Sequence, residues 1–298
     1  MVKSGADDKK DAWVRLVSLI IVVMVAFAAN SLLNRAALEN GAIGASSFAA
    51  LRLISGALCL GLLLHARKGG FSLPRFKPYG MLSLSLYVLG FSFAYVTLPA
   101  GLGALILFGG VQITMFAGSV ILHDPIPLRR WVGALIAFGG LCWLLWPGSE
   151  AAVHPAGAAL MAAAAAGWGI YSLIGRQAVD ALAATAGNFI YAVPLGVAVA
   201  VILPDGISAY GAILAVVSGA LTSGLGYALW YSVLPKITAG VAAVAQLSVP
   251  VIALAGGALL LGEVLSAAAL GAAAVVLGGI ALSVIPLGSR QKTTEGAD

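Results

Sequence analysis

Charge is what this 298-residue chain has least of: 9% of its residues are Asp, Glu, Lys or Arg, against 61% hydrophobic, with a mean hydropathy of +1.04. A globular domain carries about 25% charged residues to cover its wet surface, so this composition excludes a soluble fold and places the chain in a lipid bilayer. Cysteine is equally scarce. Cys59 and Cys142 both sit in apolar runs without metal-ligand spacing, and read as small buried hydrophobes. A His/Asp cluster, a Ser-His pair and a metal set are all missing from the apolar runs, which speaks against an intramembrane enzyme and against any cofactor. A basic stripe interleaved with aromatics is missing too, so the net charge of +5 does not point to nucleic acid. His65, His123 and His154 fall at the ends of apolar runs, where they are solvated.

What the chain does have is long apolar runs. Ten are expected to span: 12–34, 46–65, 79–97, 100–122, 129–146, 155–175, 187–203, 208–230, 237–261 and 266–286. At about 1.5 Å per residue each is long enough for a hydrocarbon core of roughly 30 Å, with 187–203 the shortest. The first run has basic residues ahead of it and Ala26-Phe27-Ala28 within it, as a signal peptide would, but it is too long for a signal-peptide core. The connections are short, with turn residues such as Pro147-Gly148 and Pro204-Asp205-Gly206, so all function lies inside the bundle or at its mouths. With a cytoplasmic N-terminus, every Lys and Arg except Arg35 and Arg52 falls on the cytoplasmic side or in a tail, which puts both termini inside.

The runs are also duplicated. Ser31-Leu32-Leu33-Asn34-Arg35 closes the first and Ser172-Leu173-Ile174-Gly175-Arg176 the sixth. Tyr95-x-x-Leu98-Pro99 opens the fourth as Tyr231-x-x-Leu234-Pro235 opens the ninth, and Ala137-Phe138-Gly139-Gly140 matches Val276-Leu277-Gly278-Gly279. Five spans per half is an odd number, so the second half enters the membrane upside down, as in secondary transporters with inverted repeats. The expected fold is an all-α membrane protein of ten transmembrane helices in a 5+5 inverted repeat. Its parts are a cytoplasmic tail at 1–11, repeats at 12–146 and 147–286, and a second cytoplasmic tail at 287–298.

This pattern resembles the EamA-type transporters of the drug/metabolite transporter superfamily. The resemblance rests on the Pro-opened fourth and ninth helices ending in Asp124 and in Gly262-Glu263, and on the Gly-Gly last helix; His123-Asp124-Pro125 stands where the family often has Gly-Glu. Within the superfamily the chain is most similar to YddG-type bacterial exporters of aromatic amino acids. The resemblance implies a monomeric carrier of small neutral or zwitterionic metabolites in the bacterial inner membrane, with aromatic or bulky apolar amino acids as the expected substrates.

Polar groups in mid-span are costly toward lipid and turn inward. Asn30, Gln112 and Gln246 are the best candidates for substrate contact, the two Gln lying mid-way along the fourth and ninth spans, one per repeat. Pro250 cannot donate to the carbonyl four residues back, so it frees the backbone oxygen of Gln246 and marks a hinge; Pro194 is read as a kink only. Tyr87 and Phe91 share a face at i, i+4, and Trp168 and Tyr171 at i, i+3; these four suit a flat ligand. Tyr95, near the outer end, and Tyr227, near the inner end, are candidate gates. Trp13, Trp131, Trp146 and Trp230 form interfacial belts. Asp124 and Glu263 anchor span ends. No carboxylate falls at mid-depth, which favours facilitated diffusion or exchange over ion coupling. Arg52 lies about 10 Å into the second span: it snorkels outward, pairs within the bundle or binds a substrate carboxylate. It is also the one cation that a carrier of phosphorylated or nucleotide sugars, the rival reading, could use.

Overall fold

The computed structural model describes residues 5–69, 74–121, 123, 126–146, 153–175, 178–237 and 239–284. Lys3, Asp124, Pro125, the Pro147-Gly148 turn, Arg176 and the tail at 287–298 lie outside the described residues. What is described is helical. The helices are α1 (Gly5–Glu39), α2 (Ala45–Lys68), α3 (Pro78–Ala94), α4 (Ala100–Ile121), α5 (Leu128–Leu144), α6 (Pro155–Gly175), α7 (Ala181–Ile202), α8 (Ala209–Lys236), α9 (Ala239–Leu260) and α10 (Ala267–Val284). Each expected span falls on one helix, with ends shifted by a few residues. The largest shifts are α1, which begins at Gly5 inside the expected tail, and α7, which begins at Ala181. No strand occurs among the described residues, only a single bridge between Ile43 and Ile207 that ties two loops together.

An apolar chain in lipid has to satisfy its backbone internally, and helices do so within one segment. Among the described residues six helices are long and apolar enough to cross a membrane: Asp11–Glu39, Ala45–Arg67, Ala100–Ile121, Pro155–Gly175, Ala181–Ile202 and Ala209–Lys236; three shorter apolar ones span Pro78–Ala94, Ala245–Leu260 and Ala267–Ser283. Side chains start several of them. Asp180 accepts from the Ala183 amide, and Ser208 from Gly211, which satisfies amides the helix leaves orphaned. Asp205 caps α2 from across the loop, accepting from the Ser46 and Ser47 amides at 2.9 and 3.2 Å. Partial burial pushes the Asp205 carboxyl up, but the Ser46 and Ser47 bonds outweigh it and hold the group below its ordinary value of 3.8.

Helix α3 packs on α6 and α7, α2 on α7 and α8, α4 on α6 and α9, and α1 on α8 and α9; α5 and α10 pair on the flank. In that flank the backbones touch: a Cβ on Gly133 would lie 2.5 Å from the Gly279 oxygen, the close approach that small residues allow in lipid. Of the duplicated Gly-Gly pairs, Gly279 packs on Gly133 and Ala137, and Gly140 on Val276, while a Cβ on Gly139 or Gly278 would meet nothing within 4 Å.

Helix α8 changes pitch along its length. Ser218–Leu225 is a π-helical segment, a rare form that is frequent at functional sites. It lies against α2 at Gly219, where an added Cβ would meet the Ser55 hydroxyl and the Arg52 carbonyl. Only a residue without Cβ lets the two helices come this close.

Trp13, Trp131 and Trp146 are exposed, as belt residues would be, whereas Trp230 is buried against Phe27 with ring centroids 6.1 Å apart. Belt membership for Trp230 is thus corrected: it faces the bundle interior. Cys142 is exposed and Cys59 half-buried, which corrects the reading of both as buried. In a membrane protein the outside of the bundle is apolar too, so hydrophobicity does not report direction.

Candidate functional site

Helix α1 brings a stripe at i, i+3, i+4 and i+7 to the bundle centre: Phe27, Asn30, Ser31 and Asn34. Asn30 is the hub of a buried network. Its Nδ2 donates to the Tyr87 hydroxyl at 3.3 Å, while its Oδ1 accepts from Ser218 at 2.6 Å and Thr222 at 3.1 Å. Asn34 accepts from Ser92 at 3.3 Å and donates to the Asn30 carbonyl at 2.9 Å. In a regular α-helix Ser218 and Thr222 share a face with each other but not with Ser223. The wider π turn turns all three inward, Ser223 toward α2.

Arg52 does not snorkel. It is completely buried, a correction to one of the three readings of its position, because Ser223 on α8 and Tyr87 on α3 hold its guanidinium inside the bundle. Its Nε donates to the Ser223 hydroxyl at 3.1 Å and its Nη2 to the Tyr87 hydroxyl at 2.9 Å. The guanidinium sits 5.1 Å from the Tyr87 ring centre and 5.0 Å from that of Phe91, within cation–π range. Nη1 has no hydrogen-bond partner among the described residues.

The aromatic side chains form one continuous chain. Tyr95 meets Phe91 edge-on at 4.7 Å, Phe91 meets Tyr87 at 5.3 Å, and Tyr87 meets Trp168 at 4.9 Å. Trp168 stacks on Tyr171 at 5.5 Å and touches Tyr227 at 5.1 Å; Tyr227 in turn meets Phe27 at 5.8 Å. Among these rings lies a space of about 20 Å³ lined by Phe27, Asn30, Tyr87, Phe91, Trp168 and Tyr227, with Ser31, Leu107, Phe108 and Thr222 closing it. That is room for about one water molecule, too little for a solute in this conformation. A second space of about 10 Å³ has Tyr171, Asn188, Tyr231 and Lys77 in its wall. The Trp168–Tyr171 stack stands between the two.

The opposite end is clasped. Gly262, in the left-handed region at φ 66°, ends α9 and turns the chain back. Glu263 then accepts from the Ala100 amide with both carboxylate oxygens, at 2.7 and 2.9 Å, and so anchors the start of α4. Arg35 lies 3.5 Å from the same carboxylate and also binds Glu39 and the carbonyls of Tyr95 and Val96. The Gly-Glu pair thus joins the two halves of the chain at this end.

The structure brings together Asn30, Tyr87, Phe91, Trp168, Tyr171, Tyr95 and Tyr227. Tyr227 lines the central space rather than standing apart at the inner end, a correction that follows from its four-residue offset from Tyr231. Gln112 and Gln246 are half-buried and hydrogen-bond to none of these residues; Pro250 is inside α9. Sequence reasoning missed Phe27, Thr222, Ser218 and Ser223. The Phe27/Asn30 spacing of three was a usable signal for the first; nothing in the sequence announces the π segment that aligns the others.

Fold and site define a multi-pass helical membrane protein built around a small aromatic and polar space. Residues 155–285 match the EamA-like transporter family. Uncharacterized protein PA1977 of Pseudomonas aeruginosa is 47% identical over 274 residues, 91% of this chain and 95% of that protein. A protein of known crystal structure, 20% identical, shares the fold with a TM-score of 0.63 over 89% of this chain and 98% of its own. The second half of the chain, residues 155–285, thus carries the EamA-like transporter match, which supports a membrane transporter of small molecules within the drug/metabolite transporter superfamily.

Proposed function

We propose that this chain is a ten-span, 5+5 inverted-repeat carrier of the YddG type, acting as a monomer in the bacterial inner membrane with both termini in the cytoplasm. It moves small zwitterionic metabolites, aromatic or bulky apolar amino acids first among them, by alternating access and without a coupling ion. The observation that carries the reading is the small space between Tyr87, Phe91, Trp168, Tyr227 and Asn30, lined by helices of both halves.

The packing supports the duplication. Adding five to each helix number turns α3 on α6 into α8 on α1, α4 on α6 into α9 on α1, and α3 on α7 into α8 on α2; the pairs α2 with α7, α4 with α9 and α5 with α10 map onto themselves. These pairs are what two units related by a two-fold axis would give, although α1 on α4 and α4 on α10 have no such counterpart among the main contacts. Ring faces with a few hydroxyl and amide groups suit a flat ligand with a polar end. Tyr95 and the Arg35–Glu263 clasp close the site toward one side, Tyr227 and the Trp168–Tyr171 stack toward the other. Gln112 and Gln246, half-buried on α4 and α9, are proposed to reach the substrate as the halves part, with Pro250 as the hinge. The phosphorylated-sugar reading has only Arg52 to recommend it.

The test is uptake of labelled tryptophan into proteoliposomes without an ion gradient. Saturable equilibration in the wild type, reduced at least tenfold by Trp168→Ala, is the expected result; truncating a buried aromatic anchor costs over about 1.4 kcal/mol. Flux that needs a proton gradient would overturn the facilitator mechanism. No amino acid flux under any gradient would overturn the substrate class.

A further inference from the structure

Arg52 is the largest fully buried side chain among the described residues, and no carboxylate pairs with it there. Its surroundings are neutral: two hydroxyls, on Ser223 and Tyr87, and the faces of Tyr87 and Phe91. Two such bonds and two ring faces return less than the desolvation of a guanidinium costs. The Nη1 nitrogen has no acceptor among the described residues. Glu263, whose side chain is buried, is committed to Arg35 and to the Ala100 amide. A cation kept at depth without a counter-ion is not a stabilising device, and in a membrane bundle such a group marks a pathway.

We propose that the missing counter-charge is the carboxylate of the transported molecule, and that Arg52 makes a free negative group a requirement for transport. This rests on the reading of the small aromatic space as the transport site. Tyr87 and Phe91 line that space and also cover the guanidinium, so turning these rings aside as the halves part uncovers Nη1 and Nη2 to the ligand. The two amines form a fork that fits the two oxygens of a carboxylate, and one positive charge meets one negative. A phosphate dianion would need a second cation, and among the described residues lining the space there is none. Arg52 is then a specificity-determining residue. It admits amino acids and related acids and refuses their amides and the corresponding amines.

The experiment uses one ring skeleton with four ends: tryptophan, indole-3-propionate, tryptophanamide and tryptamine, as labelled solutes or competitors in proteoliposomes. The two acids are expected to move or compete, and the amide and the amine are not. Arg52→Gln is expected to lower uptake efficiency for tryptophan about 100-fold, the scale for loss of one partner of a buried charged hydrogen bond; Arg52→Lys is expected to restore most of it. If Arg52→Gln fails to fold, the wild-type panel decides alone. Equal transport of acid, amide and amine would overturn the inference while leaving the carrier reading intact. If no indole solute moves, the aromatic amino acid reading fails separately, and aliphatic carboxylates are compared with their amides and with phosphomonoesters. Acid-selective, Arg52-dependent flux in that panel would sustain the inference; preference for an uncharged, cationic or phosphorylated solute, or no carboxylate flux at all, would overturn it.

Discussion

Gly219→Ala is the substitution whose cost the structure defines best. The added methyl would lie 2.9 Å from the Arg52 carbonyl carbon, and closer still to its oxygen and to the Ser55 hydroxyl, where ordinary contact begins at 3.4 Å. Ser55 is able to turn away, but the α2 backbone is not, and with the Arg52 oxygen the nearest backbone atom to the new methyl α2 and α8 have to separate by about 1 Å. Overpacking of this kind costs about 1–3 kcal/mol. Separation also stretches the Ser223–Arg52 bond beyond its 3.1 Å, and a hydrogen bond to a charged group is worth about 1.5–3 kcal/mol. Against these stands the gain of about 1 kcal/mol that Ala brings over Gly in a helix. The net is a loss of about 3 kcal/mol, or about 5 °C in thermal midpoint for a chain of this size. Gly61→Ala, on α2 with nothing within 4 Å of the new methyl, shares only the gain and is the matched control. Both are read by thermal unfolding of purified protein in detergent. A Gly219→Ala protein as stable as Gly61→Ala would refute the close α2–α8 contact and, with it, the burial of Arg52.

Three further outcomes are expected. Glu263→Gln loses the buried pair with Arg35 but keeps one acceptor for Ala100, and Arg35 keeps Glu39; the cost in the same unfolding assay is about 2 kcal/mol, below the 3–5 of a fully orphaned charge, whereas Glu39→Gln at the exposed edge costs under about 0.5 kcal/mol. The depressed Asp205 carboxyl contributes stability that is complete above its ordinary value of 3.8 and is lost as pH falls through the lower folded value; the thermal midpoint of the wild type should drop below pH 4 more steeply than that of Asp205→Asn, and parallel curves would refute the cap. After replacement of Cys59 and Cys142 by Ser, a cysteine at Gly206 should react with a membrane-impermeant maleimide in intact cells and one at Arg75 only after lysis; the reverse order would refute the proposed orientation.

Helix positions were legible from hydropathy because lipid imposes length and internal hydrogen bonding on every span. Direction was not, since both the lipid face and the interior accept apolar side chains; this is why Trp230 and Cys142 were read the wrong way. The aromatic pairs Tyr87/Phe91 and Trp168/Tyr171 were found because helical spacing alone puts each pair on one face. Gln112 and Gln246 were chosen for chemistry and depth, and depth does not determine which way a side chain points. Arg52 was counted as costly and assigned an escape to the surface by its long stem. The escape is forestalled by Ser223 on the π segment and by Tyr87 on α3, which hold the guanidinium inside; both contacts depend on partner helices and so leave no local signal in α2.

The central claim is a carrier that exposes one site to the two sides in turn, and equilibrium counterflow tests it most directly. Proteoliposomes are loaded with unlabelled tryptophan, diluted into trace labelled tryptophan and held without any ion gradient. Alternating access predicts a transient overshoot of label inside, saturating with internal substrate and weakened by Trp168→Ala. Label that enters linearly, with no overshoot and no dependence on internal substrate, would contradict the account.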